Sequence, residues 1–149
     1  MNPPALILFA HGARDPRWAA PFERLQKLTQ EKTPAVQVRL AFLELMSPRL
    51  PEVVAELAAG GVTGVTVVPV FLGQGGHVLR DLPQIVAQLA IDHPGVAVSV
   101  VPAIGEDPAV LDAMARYCIG SVAAAGPDAG SGVGTDAADG TVPSTGTAA

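Results

Sequence analysis

The sequence predicts a single α/β domain in three layers, a four-stranded parallel sheet with helices on both faces. Four runs of aliphatic and β-branched residues recur at strand length, and segments with apolar residues at helical spacing separate them. The runs are apolar almost throughout instead of alternating, as strands buried on both faces must be. At 149 residues and 49% hydrophobic, the chain has enough apolar material for one core.

The first strand is expected over Leu6–Ala10. It is too short to cross a bilayer, and no Lys or Arg precedes it as a signal peptide would require. Asp15-Pro16 then reads as a helix N-cap followed by a first-turn proline, with Trp18, Phe22, Leu25 and Leu28 as the apolar stripe and Pro21 delaying or bending the helix. A second strand covers Val36–Leu43. Ser47-Pro48 opens the second helix, which turns Leu50, Val53, Val54 and Leu57 inward and stops at Gly60-Gly61.

The third strand runs from Val65 to Phe71, and the helix after it carries Leu82, Ile85, Val86 and Leu89 as far as His93-Pro94-Gly95. His93 belongs to that turn. A fourth strand, Val96–Val101, leads to a helix opening at Asp107-Pro108, with Leu111, Met114, Ala115 and Cys118 packed inward. The order βαβαβαβα with right-handed crossovers points to a flavodoxin-like strand order of 2-1-3-4. From residue 120 the chain turns to Gly, Ala, Ser, Thr, Asp and Pro, so 1–119 is expected to fold and 120–149 to be a disordered tail.

Composition removes several function classes. Net charge is −5, of which Asp128, Asp136 and Asp139 in the tail account for three, and no basic surface suits nucleic acid. Nothing suggests a membrane partner. The single Cys118 permits neither an internal disulfide nor a thiolate-held zinc site, so a reducing cytoplasm is the expected setting.

In open α/β sheets ligands bind beyond the carboxyl ends of the strands, near the point where strand order reverses. Three residues with metal-binding side chains fall there: His11 after strand 1, Glu44 after strand 2, and His77 after strand 3 and the loop Gly73-Gln74-Gly75-Gly76. With strands 1 and 3 adjacent, the two histidines would straddle the crevice with Glu44 beside them. Glycines flank both histidines, leaving room for a flat ligand to approach. Two imidazoles and a carboxylate suit Co²⁺, Ni²⁺, Fe²⁺ or Zn²⁺, and the lack of thiolates suits a site that releases its ion.

The segments His-Gly-Ala-Arg-Asp-Pro at 11–16, Ala-Phe-Leu-Glu-Leu at 41–45 and Pro-Val-Phe-Leu-Gly-Gln-Gly-Gly-His-Val-Leu-Arg-Asp-Leu-Pro at 69–83 occur in that order. Together they resemble the short-form sirohydrochlorin chelatases, the family of sirohydrochlorin cobaltochelatases and ferrochelatases, from about Leu6 to Cys118. The resemblance implies a chelatase-like half with an α/β fold, acting as a lyase that inserts Co²⁺ or Fe²⁺ into sirohydrochlorin in cobalamin or sirohaem biosynthesis. It also implies a homodimer. Carried over by position, the metal-binding histidines fall on His11 and His77, and the family's carboxylate position on Glu44. Ala13, where Ser is common, and Gln74 depart from the family pattern without touching a proposed ligand.

Insertion must remove two pyrrole N–H protons while the ion exchanges its ligands for four ring nitrogens. His11 and His77 are expected to hold the ion, and Glu44 or a released histidine to accept protons. Arg14 and Arg80, beside the two histidine motifs, are placed to pair with substrate carboxylates, and Gly75 and Gly76 to line the substrate site. The divalent metal, Co²⁺ or Fe²⁺ with Ni²⁺ a further candidate, is a substrate, and no organic cofactor is implied. Two other classes use the same residues: a non-catalytic metal or tetrapyrrole carrier, and a histidine-phosphatase-like phosphoryl-transfer enzyme. The latter has an arginine just before the histidine, where this chain has Ala10.

Overall fold

β1 (Ala5–Ala10) occupies the centre of the sheet, pairing in parallel with β2 (Gln37–Phe42) on one side and β3 (Gly64–Pro69) on the other. β4 (Ala97–Val100) adds to β3, again in parallel, giving the order β2-β1-β3-β4. The expected order 2-1-3-4 is therefore the observed one. The computed structural model describes residues 3–73 and 75–126. Gln74 and 127–149, which hold most of the expected tail, lie outside the described residues.

Alternate residues of the strands feed two apolar clusters. On one face Leu8, Ala10, Val38, Leu40 and Phe42 are buried, with Trp18, Phe22 and Leu25 of the first helical segment packed against them. On the other, Ile7, Phe9, Val65 and Val67 meet α2 (Leu50–Ala59) and α3 (Gly76–Asp92). Leu50, Val53, Val54 and Leu57 are all buried, as the spacing predicts, each contributing on the order of 1.5–3 kcal/mol of transfer free energy.

The helix boundaries differ from expectation in informative ways. Asp15 does cap: its carboxylate accepts the Arg17 N–H at 2.9 Å, opening a single 3₁₀ turn over Pro16–Ala19. α1 (Ala20–Lys32) begins only there, with Pro21 in its first turn, where a missing N–H costs nothing. Leu28 does not join the stripe and is exposed. Ser47-Pro48 does not cap α2. That peptide bond is cis, and Arg49 is the N-cap, its N–H donating to Glu52 Oε2 at 2.9 Å.

β2 is an edge strand whose outer peptide groups need partners. Glutamines of α1 provide them: Gln30 Oε1 accepts the Val38 N–H at 2.9 Å, Gln30 Nε2 donates to Val36 O at 2.8 Å, and Gln26 Nε2 donates to Val38 O at 3.1 Å.

The chain divides into two units, Met1–Ala113 and Met114–Ala149. α4 (Pro108–Ala125) runs across that division and past the expected boundary at 119. Val122 and the alanines 123–125 read as low-complexity tail in composition, yet alanine is the strongest helix former, and the helix continues through them. No residue of α4 is buried: Leu111 and Met114 are exposed, and Cys118, expected in the core, is exposed as well. No described helix is long and apolar enough to cross a membrane.

Candidate metal centre

The carboxyl ends of β1, β2 and β3 are tied together by backbone hydrogen bonds that extend beyond the strands. Leu43 N–H donates to Ala10 O at 2.8 Å, Glu44 N–H to His11 O at 3.0 Å, and Val70 N–H to Phe9 O at 2.8 Å. His11 and Glu44 are thus neighbours along a continued β1–β2 pairing. Gly12 permits this approach. Its φ is +93°, and a Cβ there would sit 1.8 Å from the Glu44 carbonyl oxygen.

Phe71, buried just past β3, supports the His11 ring with centroids 4.2 Å apart and also meets Phe9 edge-on. The Phe71 carbonyl accepts the N–H of Gly105 at 2.9 Å, and a Cβ on Gly105 would lie 2.2 Å from Leu72 O. Gly105 therefore sets how closely the segment after β4 can press against the segment leading to His77.

α3 starts earlier than its apolar stripe suggests, with Gly75 as N-cap and Gly76 as first residue, so His77 stands in the first helical turn. A Cβ on Gly75 or Gly76 would meet no heavy atom within 4 Å, and packing within the chain does not require glycine at either position. Starting the helix at Gly76 places Asp81 one turn beyond His77, on the same face. His77 Nε2 lies 3.1 Å from Asp81 Oδ2 and 3.9 Å from Glu44 Oε2.

Two of the three expected ligands, His77 and Glu44, are thus brought together, with Asp81 as a carboxylate that sequence reasoning missed. His11 joins them through the backbone of Glu44 and the ring of Phe71, not by side-chain contact. Among the described residues no group of three or more His, Cys, Asp or Glu side chains is arranged to hold a metal ion. The His77 side chain is 61% exposed and Glu44 48%. Both side chains are therefore open to solvent, and the two carboxylates beside one imidazole give this rim a locally negative character.

Glu44, His77 and Asp81 share a cavity of about 270 Å³ with Arg49 and Gln84, with Leu43 and Ile85 as its apolar lining. The expected substrate arginines, Arg14 and Arg80, are exposed and neither lines this cavity. Leu45, directly after Glu44, is another residue the sequence does not flag: its φ is +65° and its side chain is exposed. Such a backbone costs a non-glycine residue about 1–3 kcal/mol and tends to occur where geometry serves function.

A profile of the CbiX family matches residues 5–118. The chain belongs to the CbiX family. Among its CbiX-related proteins, the sirohydrochlorin cobaltochelatase of Methanopyrus kandleri is 36% identical over 80 residues, 54% of this chain and 56% of that protein. The chain therefore spans a little over half the length of that curated relative. A crystal structure of a putative cobalamin biosynthesis CbiX protein from Marinobacter aquaeolei is 33% identical with a TM-score of 0.74, covering 82% of this chain and 99% of that one. The Bacillus subtilis sirohydrochlorin chelatase SirB, solved in complex with cobalt, shares the fold at 24% identity and TM-score 0.69, covering 79% of this CbiX chain and 50% of SirB.

Proposed function

We propose that this protein is a sirohydrochlorin chelatase, a lyase that inserts Co²⁺, or Fe²⁺ in its place, into the tetrapyrrole for cobalamin or sirohaem biosynthesis. The observation that carries the reading is the junction of an imidazole and a carboxylate, His77 and Glu44 at 3.9 Å, on an open, thiolate-free strand edge next to His11. Ligands of this kind bind borderline divalent ions and let them go. Membership of the CbiX family and the cobaltochelatase name of the M. kandleri relative support it.

In this mechanism His11 and His77 hold the incoming ion above the ring. As the four ring nitrogens replace the ion's water and protein ligands, two pyrrole protons leave, taken up by Glu44 or by a histidine released from the ion and passed on to solvent. One divalent ion enters and two protons depart, so charge is conserved. Gly75 and Gly76 leave room for the edge of the macrocycle, and Arg14 and Arg80 meet its carboxylates from outside the cavity. No organic cofactor takes part, the setting is the cytoplasm, and the working form is a homodimer.

Anaerobic incubation of the protein with sirohydrochlorin and excess Co²⁺, followed by absorbance, tests the reading. A rate no faster than the spontaneous reaction would leave a carrier as the better description. Repeating the assay with Fe²⁺ and Ni²⁺ ranks the metals.

A further inference from the structure

The cavity shared by Glu44, His77 and Asp81 contains one cation from its own lining, Arg49. Its backbone is fixed on both sides. The strand β2 bridges to it at Phe42, its N–H is held by Glu52, and its carbonyl accepts the Val53 N–H at 3.1 Å to begin α2. The side chain is exposed, and the guanidinium makes no ion pair with any described residue. The other arginine of this neighbourhood, Arg39, is already committed to Glu56. A guanidinium rooted at a fixed backbone position, unpaired and lining a cavity that includes the His77 imidazole, is available to a planar anion.

We propose that Arg49 anchors a peripheral carboxylate of the tetrapyrrole in this cavity, making it a specificity-determining residue that sets the ring's position relative to His77 and Glu44. The proposal rests on the chelatase reading for the identity of the ligand. Glu44 and Asp81 repel a carboxylate entering the cavity, so Arg49 must be present to offset them, and a substrate lacking carboxylates gains nothing there. Gln84, also in the lining, has an amide able to donate to the same group. The contact is a charge-assisted hydrogen bond made only when the ring docks, and its loss weakens binding by about tenfold.

The test uses the full chain and a metal-free polycarboxylate porphyrin, uroporphyrin, titrated by porphyrin fluorescence against wild type, Arg49→Gln and Arg49→Lys. Co²⁺ affinity is measured in parallel by calorimetry. The expected result is about tenfold weaker porphyrin binding for Arg49→Gln, partial recovery for Arg49→Lys, unchanged Co²⁺ affinity, and a raised KM in the chelation assay. Equal porphyrin affinities for all three proteins would overturn the proposal, as would a loss of Co²⁺ affinity matching the loss of porphyrin affinity. Wild type that binds porphyrin through Arg49 but gives no chelation would sink the chelatase reading and leave the anchor standing. Normal chelation with no dependence on Arg49 would do the reverse.

Discussion

Replacing Gly12 by alanine should separate the two strand ends that carry His11 and Glu44. The added Cβ would lie 1.8 Å from the Glu44 carbonyl oxygen, where real contacts essentially never fall below 3.0 Å, so one segment must retreat by more than an ångström. That movement breaks the Glu44 N–H to His11 O bond, worth about 0.5–1.5 kcal/mol. The φ of +93° adds about 1–3 kcal/mol for any residue with a side chain. The expected total is about 2–4 kcal/mol, which for a unit of this size lowers Tm by roughly 6–20 °C. Calorimetric melting of wild type, Gly12→Ala and Gly76→Ala measures it. Gly76→Ala serves as the control, because its Cβ meets nothing within 4 Å and its stability should stay within about 0.5 kcal/mol of wild type. Below its melting range, Gly12→Ala should still bind Co²⁺ more weakly. A Gly12→Ala protein as stable as the control would refute the claim that close backbone approach at this rim requires glycine.

Other consequences can be checked separately. His11→Ala and His77→Ala should each abolish metal insertion while shifting stability by less than about 1 kcal/mol, since neither ring is buried; circular dichroism and the absorbance assay give the two readings. Gly105→Ala should destabilise the protein by about 1–3 kcal/mol and raise the KM for metal, because its Cβ would press on the Leu72 backbone at 2.2 Å and displace the segment leading to His77. The Arg17 side chain, and then the Arg17 N–H, hold the Asp15 carboxyl below its usual range. Its stabilisation is therefore complete above the ordinary carboxylate value and fades as pH falls through the lowered one. The gap in Tm between wild type and Asp15→Ala should be present at neutral pH and narrow across that acid range.

Burial made β1, β2, β3 and α2 legible residue by residue, whereas β4 and α4 carry strand and helix signals with no buried residue. A strand covered on both faces must be apolar throughout, and Leu50, Val53, Val54 and Leu57 could share one buried face only as a helix. Where local signals competed, they misled. Ser47-Pro48 looks like a helix opening, but the helix begins after it at Leu50, capped by Glu52 on the Arg49 N–H. Leu111, Met114 and Cys118 have helical spacing and do form a helix, yet spacing says nothing of whether anything covers it, and none of them is buried. The alanines after Gly120 carry a tail's composition and a helix's propensity, and propensity prevailed through Ala125.

The candidate site divides along the same line. His11, Glu44 and His77 could be nominated from sequence because His11 and Glu44 come just after strands and His77 after the loop that leaves β3, and the strand order puts those ends on one edge. Asp81 was within reach of the same reasoning. It stands four residues after His77, and a helix begun at Gly76 instead of at its apolar stripe would have shown the pair.

The sequence by itself determined the elements, their parallel pairing and the edge on which the candidate residues fall, since periodicity and chain connectivity are local properties. Only the tertiary structure decided that Phe71 lies against His11, that Gly105 presses on Leu72, and that Arg49, not Arg14 or Arg80, shares a cavity with His77. Those contacts join residues far apart in the chain. The pairing of β1 with β3 brings Phe71 to His11, the packing of α2 and α3 on one face of the sheet brings Arg49 to His77, and no pattern along the chain records those positions.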